Sequence, residues 1–357
     1  MKSLLDNKKK YIGSLLFLIL LIGITFFIFL KDNDLKMLWQ TIQQANSIYI
    51  ALGILAMFGF IACEGLNLKV IFQSFGKQIP FLRCYKYAFI SFYFSSITPG
   101  SSGGQPMQLY YMNKDNINLS LSSLTIFIIV FIWQIAELGF NFVMFVLNHT
   151  FVLKHAQGMG ILIIYGIVFN LLLLTLILLA VFSKTILKRF LTWGIRILSK
   201  MKIIKHPEQV LQSINHQIAQ YQSNAQHMKN NSTVLWKVLL ITLLQLSCQY
   251  VVPFCVYKAF GFHQYNILEM MTIQALLSLA VGSLPLPGAV GVSEGGFMML
   301  YRIFFTSSML LPAMMLSRGI SFYFMLLFSG AVVILVQLHT QKRQSQPTHT
   351  GLSGNPL

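Results

Sequence analysis

The sequence predicts an all-α protein that crosses a membrane several times. Of its 357 residues, 55% are hydrophobic and only 10% are charged. The mean hydropathy of +0.67 is too high for a domain with a solvated surface. Long apolar runs alternate with short basic segments, which is the pattern of a multi-pass membrane protein. These observations exclude an ordinary soluble domain.

Six apolar runs are long enough to span a bilayer, which takes about 20 helical residues. The first run, residues 11–30, follows a basic N-terminus and lacks the short apolar core and small-residue end of a cleaved signal peptide. The five others are residues 48–66, 121–147, 160–182, 234–257 and 311–338. We therefore predict six full spans within a single transmembrane domain, residues 1–340.

Basic residues beside these runs predict which segments face the cytoplasm. Residues 183–233 carry eight Lys or Arg against one Glu, and the N-terminus, the stretch around Lys86 and the C-terminal tail are also basic. The positive-inside tendency places these four segments, and hence both termini, on the cytoplasmic side of a bacterial cell membrane. Within residues 183–233, helical spacing of apolar residues predicts an amphipathic helix on the inner leaflet. Residues 341–357 are predicted to be a disordered tail.

Two further apolar regions, residues 84–112 and 267–305, are interrupted by Pro and Gly. Each region lies, together with two clear spans, between two segments predicted to be cytoplasmic. The chain must therefore cross the membrane an even number of times within each region. Each region is therefore predicted to be a re-entrant hairpin, the first entering from inside and the second from outside. Both turn at a Pro-Gly-x-x-Gly motif, and the motifs begin 188 positions apart, at Pro99 and Pro287. Opposed hairpins of this kind are typical of an inverted repeat.

Broken helices at membrane depth expose backbone groups that hydrocarbon cannot satisfy, so they persist only beside protein or a water-filled cavity. The half-helix after each break would offer amide groups and a positive dipole end to an anion such as lipid phosphate. Glycine would let that anion approach closely. The candidate binding residues at the two turns are Pro99, Gly100, Gly103, Gly104, Gln105, Pro287, Gly288 and Gly291. A tight turn between packed helices, with no ligand, is the alternative.

Charged residues within apolar segments are the other candidates, because an unpaired charge at mid-bilayer costs about 3 kcal/mol or more. Glu137 lies in the middle of a predicted span, Glu294 follows the second break and Arg318 lies in the last span. We predict that Arg318 pairs with Glu294 or Glu137 and binds phosphate, while the two acids neutralise a cationic headgroup or carry protons. A purely structural ion pair is the alternative. Further candidates are Glu64, Lys86 and Arg302.

No catalytic residue, metal site or cofactor is predicted. The four cysteines have no C-x-x-C spacing, and the eight histidines have no metal-ligand spacing. The formal charge of +17 resides in loops beside the spans, where it attracts anionic lipid headgroups. We therefore expect the membrane itself, and not nucleic acid, as the basic segments' partner.

The motifs TPGSSGGQPMQLYYM, LPLPGAVGVSEGGF and LSRGISFY resemble the membrane domain of the lysylphosphatidylglycerol synthetase/flippase (MprF-type) family, over roughly residues 11–338. The resemblance implies movement of aminoacyl-phosphatidylglycerol between leaflets, a contribution to cationic-peptide resistance, and a lipid-handling site at the motif residues. In that family, a separate soluble domain transfers lysine from lysyl-tRNA to the lipid. The tail after the last span is too short for such a domain, so we expect no synthetase activity.

Two other functions stay open at this point. One is a phosphatidylglycerol lysyltransferase that acts alone, and the other is a membrane scaffold for a separate synthetase. Among transport substrates, another anionic phospholipid or a polyprenyl-phosphate carrier is the alternative to an aminoacylated lipid. A homo-oligomer is also consistent with the sequence.

Overall fold

The computed structural model describes residues 2–31, 35–155, 160–182, 231–282 and 284–345, and these residues form helices and connecting turns without a strand. The helices are α1 (Lys2–Leu30), α2 (Leu35–Gln43), α3 (Ser47–Ser74), α4 (Phe81–Ile97), α5 (Gly104–Lys114), α6 (Leu119–Leu147), α7 (His149–His155), α8 (Gly160–Phe182), α9 (Ser232–Tyr250), α10 (Val252–Ala259), α11 (Ile267–Gly282), α12 (Val292–Leu300), α13 (Ser307–Arg318) and α14 (Met325–Ser345). Short 3₁₀ turns cover Pro99–Ser101, Pro287–Ala289 and Tyr301–Ile303, and a π-helical segment, Gly319–Phe324, joins α13 to α14.

Four helical stretches are long and apolar enough to cross a membrane. They are Ser47–Ser74, Leu119–Leu147, Ser232–Ala259 and Ser307–Leu338, which match four of the predicted spans. Helices α1 and α8 cover the two remaining predicted spans, with shorter apolar stretches at Leu15–Leu30 and Ile163–Leu176. The all-helical membrane fold is therefore confirmed, while the count of six full spans stays a prediction.

Large apolar side chains cover the outer faces of the helices. Phe27 on α1, Phe142 on α6 and Ile161 on α8 are 69%, 68% and 86% exposed. Apolar surface this extensive would aggregate in water, whereas hydrocarbon solvates it. Inside the bundle, two large clusters of buried apolar residues hold the helices together. The surface is thus that of a protein embedded in lipid.

The two Pro-Gly turns have the same backbone conformation at the two residues that follow the proline. Gly100 has φ 59° and Gly288 has φ 57°, and the next residues, Ser101 and Ala289, also have positive φ, at 55° and 50°. The turns lie between a longer and a shorter helix in both halves: α4 and α5 in the first, α11 and α12 in the second. The two motifs therefore share the start of a turn as well as a sequence pattern, and they diverge at the last glycine, where Gly103 has φ −88° and Gly291 has φ 87°.

The long helices that precede the two hairpins, α3 and α9, pack against each other in antiparallel orientation. Gln245 on α9 donates to Glu64 on α3 over 3.2 Å, and Asn67 donates to Thr242 over 3.1 Å. Because the positions rise along α3 as they fall along α9, the helices run in opposite directions. Equivalent helices of an inverted repeat have this relation.

Parts of two predicted segments lie outside the described residues. These parts are residues 183–230 of the basic segment, with the predicted amphipathic helix, and residues 346–357 of the tail. Helix α14 extends to Ser345, five residues into the segment predicted to be a disordered tail.

Candidate functional site

The two Pro-Gly turns lie against each other. A Cβ atom added to Gly100 would lie 3.9 Å from the Cα atom of Pro285, just before the second turn. The turns also contact each other directly, and the second turn contacts α4 as well. The fold therefore brings the two Pro-Gly breaks to one place, as a shared site requires.

A cavity of about 790 Å³ opens beside the paired turns. Helices α3, α4, α6, α8, α9, α11 and α13 all contribute to its wall. Six predicted site residues line it: Glu64, Gly100, Gln105, Glu137, Gly288 and Arg318. These six come from distant parts of the sequence, and the structure brings them together around one space.

In the first turn, two of the candidate glycines close the hairpin. The amide of Gly103 donates to Thr98 Oγ1 over 2.8 Å. A Cβ atom added to Gly104 would overlap Ser95 Oγ and would lie 2.7 Å from the backbone oxygen of Ser91. Helix α5 can therefore pack on α4 only because Gly103 and Gly104 have no side chain. The Gly103 amide, which was predicted to be free for a ligand, already has a partner within the chain.

The second turn is held by a buried ion pair. Arg318 Nε donates to Glu294 Oε1 over 2.8 Å, and Arg318 Nη2 donates to the backbone oxygen of Gly288 over 3.0 Å. Tyr323 donates its hydroxyl to the same Glu294 oxygen over 3.0 Å, and the Gly291 amide donates to the other oxygen over 2.7 Å. The predicted pairing of Arg318 with Glu294 is therefore confirmed, and Glu294 caps the first turn of α12.

The two members of the ion pair differ in exposure, and they therefore differ in the role that each can have. The side chain of Glu294 is only 2% exposed, and both of its oxygens have partners in the chain. That geometry favours a structural role for Glu294 over neutralising a headgroup. Arg318 is 15% exposed, lines the cavity, and stacks on the ring of Phe322 at 4.5 Å. Its guanidinium can therefore both hold the turn and contact a ligand.

Two acids in the cavity wall have no cationic partner within the described ranges. Glu64 Oε2 accepts a hydrogen bond from Gln245 over 3.2 Å. Glu137 Oε2 accepts one from the Trp133 indole over 3.1 Å, and Glu137 is only 8% exposed. Gln108 also interacts with the Glu64 carboxylate, whereas Glu137 retains a second oxygen that can accept from a ligand.

The other candidates lie away from the cavity wall. Pro99 is exposed at the first turn, Pro287 is buried in the second, and Arg302 is exposed in the 3₁₀ turn after α12. Lys86 on α4 forms an ion pair with Asp115 at 2.6 Å. The Lys86 ammonium group therefore contacts another residue of the protein, Asp115, which follows the first hairpin in the sequence.

The Lys86–Asp115 pair predicts a pH dependence of stability. Burial alone would raise the pKa of Asp115, but hydrogen bonds from Lys86 and Tyr87 outweigh it and hold this pKa below 3.8. A carboxyl whose pKa is lower in the folded state stabilises the fold above its unfolded pKa, and this contribution is lost as the pH falls through the folded pKa. We expect the wild type to be more stable than Asp115→Asn at pH 7, with the advantage shrinking below about pH 4.

Thermal unfolding of both proteins in detergent, at pH 7 and at about pH 3.5, measures this difference. An advantage of the wild type that is the same at both pH values would contradict the assigned role of Asp115.

Sequence reasoning missed the neutral polar residues of the cavity. Five amide side chains besides Gln105 line it: Gln134, Asn170, Gln245, Gln249 and Gln274. A signal was present, because Gln245 and Gln249 are one helical turn apart in an apolar helix, as are Gln274 and Ser278. Such spacing places two polar side chains on one helix face, where they can share a cavity.

Comparison with known proteins agrees with this architecture. The family model described as "Lysylphosphatidylglycerol synthase TM region" matches residues 12–329. A UPF0104 membrane protein of Archaeoglobus fulgidus is 24% identical over 324 residues, which cover 90% of this chain and 96% of that protein. Both Pro-Gly turns, the cavity residues and the Arg318–Glu294 pair lie within the matched region. The chain therefore belongs to the family of lysylphosphatidylglycerol synthase transmembrane regions.

Proposed function

We propose that this protein moves a polar-headed lipid between the two leaflets of a membrane. One observation carries the proposal: the two Pro-Gly turns meet beside a cavity of about 790 Å³ whose wall contains charged, amide and hydroxyl side chains among apolar ones. Drug-sized ligands occupy cavities of roughly 300–1,000 Å³, so a lipid headgroup would fit. The exposed apolar faces of the helices would keep the acyl chains in hydrocarbon.

In this mechanism, the headgroup enters the cavity and the two halves alternate in opening it to either side. The phosphate would contact Arg318 and the first amides of α5, beside Gln105. Glu64 and Glu137 would accept hydrogen bonds from the rest of the headgroup. Broken helices in an inverted repeat support alternating access in many transporters. The mechanism requires six full spans and two opposed re-entrant hairpins.

The family description suggests the first substrate to test. A lysylphosphatidylglycerol synthase region acts beside an aminoacylated lipid, so aminoacyl-phosphatidylglycerol is the leading substrate and another phospholipid or a polyprenyl phosphate is the next. The setting we propose is a bacterial cytoplasmic membrane with both termini inside. A separate synthetase or a second copy of the chain is the proposed protein partner.

Reconstitution into proteoliposomes tests the transport function. The purified chain should move fluorescent phospholipid from the inner to the outer leaflet, where a membrane-impermeant reductant quenches it. Ser278→Trp should abolish this movement, because Ser278 lines the cavity and an indole would fill much of the space. Leu268→Trp, on the same helix but 44% exposed at the outer face, is the matched control and should retain activity.

The two alternative functions give different results in the same preparation. A lysyltransferase would incorporate labelled lysine from charged tRNA into phosphatidylglycerol, and a scaffold would neither do this nor move lipid. Lipid movement that is equal in Ser278→Trp and wild-type vesicles would place any transport outside the cavity and refute the mechanism.

A further inference from the structure

Of the two acids that line the cavity, Glu137 has the fewer partners. It lies in the span formed by α6, is 8% exposed, and receives one hydrogen bond, from Trp133 to its Oε2 atom. Glu64, by contrast, interacts with the amides of Gln245 and Gln108. The Oε1 atom of Glu137 has no donor in the described ranges, and it is not among the fully enclosed side-chain atoms, so it opens to the cavity. A proton or a ligand can therefore reach it.

The cavity wall has no spare cation to balance this carboxylate. Arg318 is the one Lys or Arg that the described residues place in the wall, and its Nε atom is bound to Glu294 at 2.8 Å. A carboxylate at membrane depth without a cation is strongly unfavourable. It is neutralised either by a proton or by a cation that a ligand brings into the cavity. Two kinds of occupant can therefore neutralise Glu137.

Two enclosed acceptors beside Glu137 point to the proton. Gln134 and Asn141 lie one helical turn before and after it on α6, and they are 9% and 5% exposed. Gln134 Oε1 and Asn141 Oδ1 have no donor within the described chain, and neither atom is open to the cavity. The Asn141 side chain contacts residue 137 directly, because its nitrogen donates to the backbone oxygen of Glu137 over 2.9 Å. A protonated Glu137 carboxyl can donate to one of these acceptors, whereas a carboxylate can only accept.

The other titratable groups around Glu137 do not supply a cation for it. Those that line the same wall are Glu64 of α3, Tyr165 of α8 and Arg318 of α13. Tyr250 of α9 is fully buried and close enough to Glu137 to interact with it electrostatically. The wall residues from α4, α5, α10, α11 and α12 are not titratable, and α7 contributes none. Because Glu294 holds the guanidinium of Arg318, the neutralising charge at Glu137 has to come from the cavity.

We propose that Glu137 exchanges a proton for the ammonium group of the lipid headgroup, so that lipid movement is coupled to proton movement in the opposite direction. In the empty cavity, the protonated carboxyl donates to Gln134 or Asn141. When an aminoacyl headgroup enters, the proton leaves to the water on the open side, and the ammonium group binds the carboxylate while Trp133 still donates to Oε2. After the headgroup has left on the other side, a proton from that side replaces it. This inference rests on the proposed transport function and adds a driving force to it.

The stoichiometry of the exchange predicts how a pH gradient distributes the lipid. Lysylphosphatidylglycerol carries two ammonium groups and one phosphate, hence one net positive charge, and one proton moves in the opposite direction. The cycle is then electrically neutral, so the lipid follows the pH gradient alone. A gradient of one pH unit, acidic outside, should enrich this lipid in the outer leaflet up to about tenfold, and the reverse gradient should enrich it in the inner leaflet.

Proteoliposomes with an imposed pH gradient test the exchange. The probe is lysylphosphatidylglycerol with a fluorescent acyl chain, and a membrane-impermeant reductant measures its share in the outer leaflet. Phosphatidylglycerol with the same acyl chain lacks the ammonium groups and should not respond to the gradient. Vesicles without protein measure the passive response of the amines, and a pH dye in the lumen records the counter-movement of protons.

Two substitutions of Glu by Gln provide a matched comparison. Glu137→Gln removes the carboxyl that exchanges the proton, so the enrichment driven by the gradient should be lost. Glu269→Gln is the control, because Glu269 caps the first turn of α11 and lies outside the cavity wall. It should retain the enrichment, and thermal unfolding in detergent checks that both variants fold.

Enrichment that persists in Glu137→Gln would overturn the proposal, as would equal enrichment of phosphatidylglycerol. If the wild-type protein moves lysylphosphatidylglycerol without a response to the gradient, the exchange is refuted while the transport function stands. If no lipid moves at all, the transport function fails and the exchange fails with it.

Discussion

Arg318→Met is expected to destabilise the protein by about 3–5 kcal/mol, because it leaves the Glu294 carboxylate buried without its cation. Glu294 is 2% exposed and accepts from Arg318 at 2.8 Å, so water cannot replace the lost partner. The same substitution removes the bond from Arg318 to the Gly288 oxygen that holds the second turn. Lipid movement should fall with the loss of the turn. The fall in unfolding temperature in detergent measures the first effect.

A double substitution separates the cost of burying the unpaired Glu294 charge from the effect of losing the Arg318 guanidinium at the cavity. In Arg318→Met with Glu294→Gln, the unpaired charge is gone, so much of the stability should return. Lipid movement should stay low, because the guanidinium no longer lines the cavity. Arg318→Lys should be intermediate, since an ammonium cannot reproduce the two bonds that Nε and Nη2 make to Glu294 and Gly288. Full transport in the double variant would contradict a role for Arg318 beyond folding.

Gly288→Ala is expected to destabilise the protein by about 3 kcal/mol, and Gly100→Ala by about 1 kcal/mol. Both glycines have left-handed backbone, at φ 57° and 59°, so alanine carries a similar strain at each position. Only at Gly288 would the new Cβ atom overlap a neighbouring ring, that of Phe322. At Gly100 the nearest atom lies 3.9 Å away. Comparing the two alanine variants therefore isolates the cost of the overlap with Phe322, because the backbone conformation is similar at both glycines.

Unfolding temperatures of the two alanine variants, measured in the same detergent, give the comparison. A further double variant, Gly288→Ala with Phe322→Leu, should recover part of the loss because it frees space beside the turn. Equal destabilisation by the two single variants would show that backbone strain alone matters and that the Phe322 contact does not constrain the turn.

The sequence predicted those parts of the site that consist of residue types that are rare in apolar segments. The breaks at Pro99 and Pro287 are visible because Pro and Gly interrupt otherwise apolar runs, and the structure places the two turns in contact. Arg318 and Glu294 are visible because charges are scarce in such segments, and they form the predicted pair. Helix positions followed from apolar run length, which depends on local composition alone.

The rest of the site depends on packing that local composition does not encode. Glycines at positions 103 and 104 matched a ligand-binding pattern, yet their missing side chains let α5 approach α4. Lys86 was a site candidate, but its partner is Asp115, 29 positions away. Gln134 passed unnoticed because a single glutamine in an apolar helix carries little signal until the three-dimensional structure shows the cavity that it lines.

The ion pair of the second turn has no counterpart in the first. The positions that precede Glu294 and Arg318 by 188 residues are Pro106 and Val130, which cannot form an ion pair. Pro287 is buried in the locked turn, whereas Pro99 is exposed in the other. For the transport cycle that we propose, we therefore expect the Pro287 hairpin to be the more rigid of the two and the Pro99 hairpin to change position more.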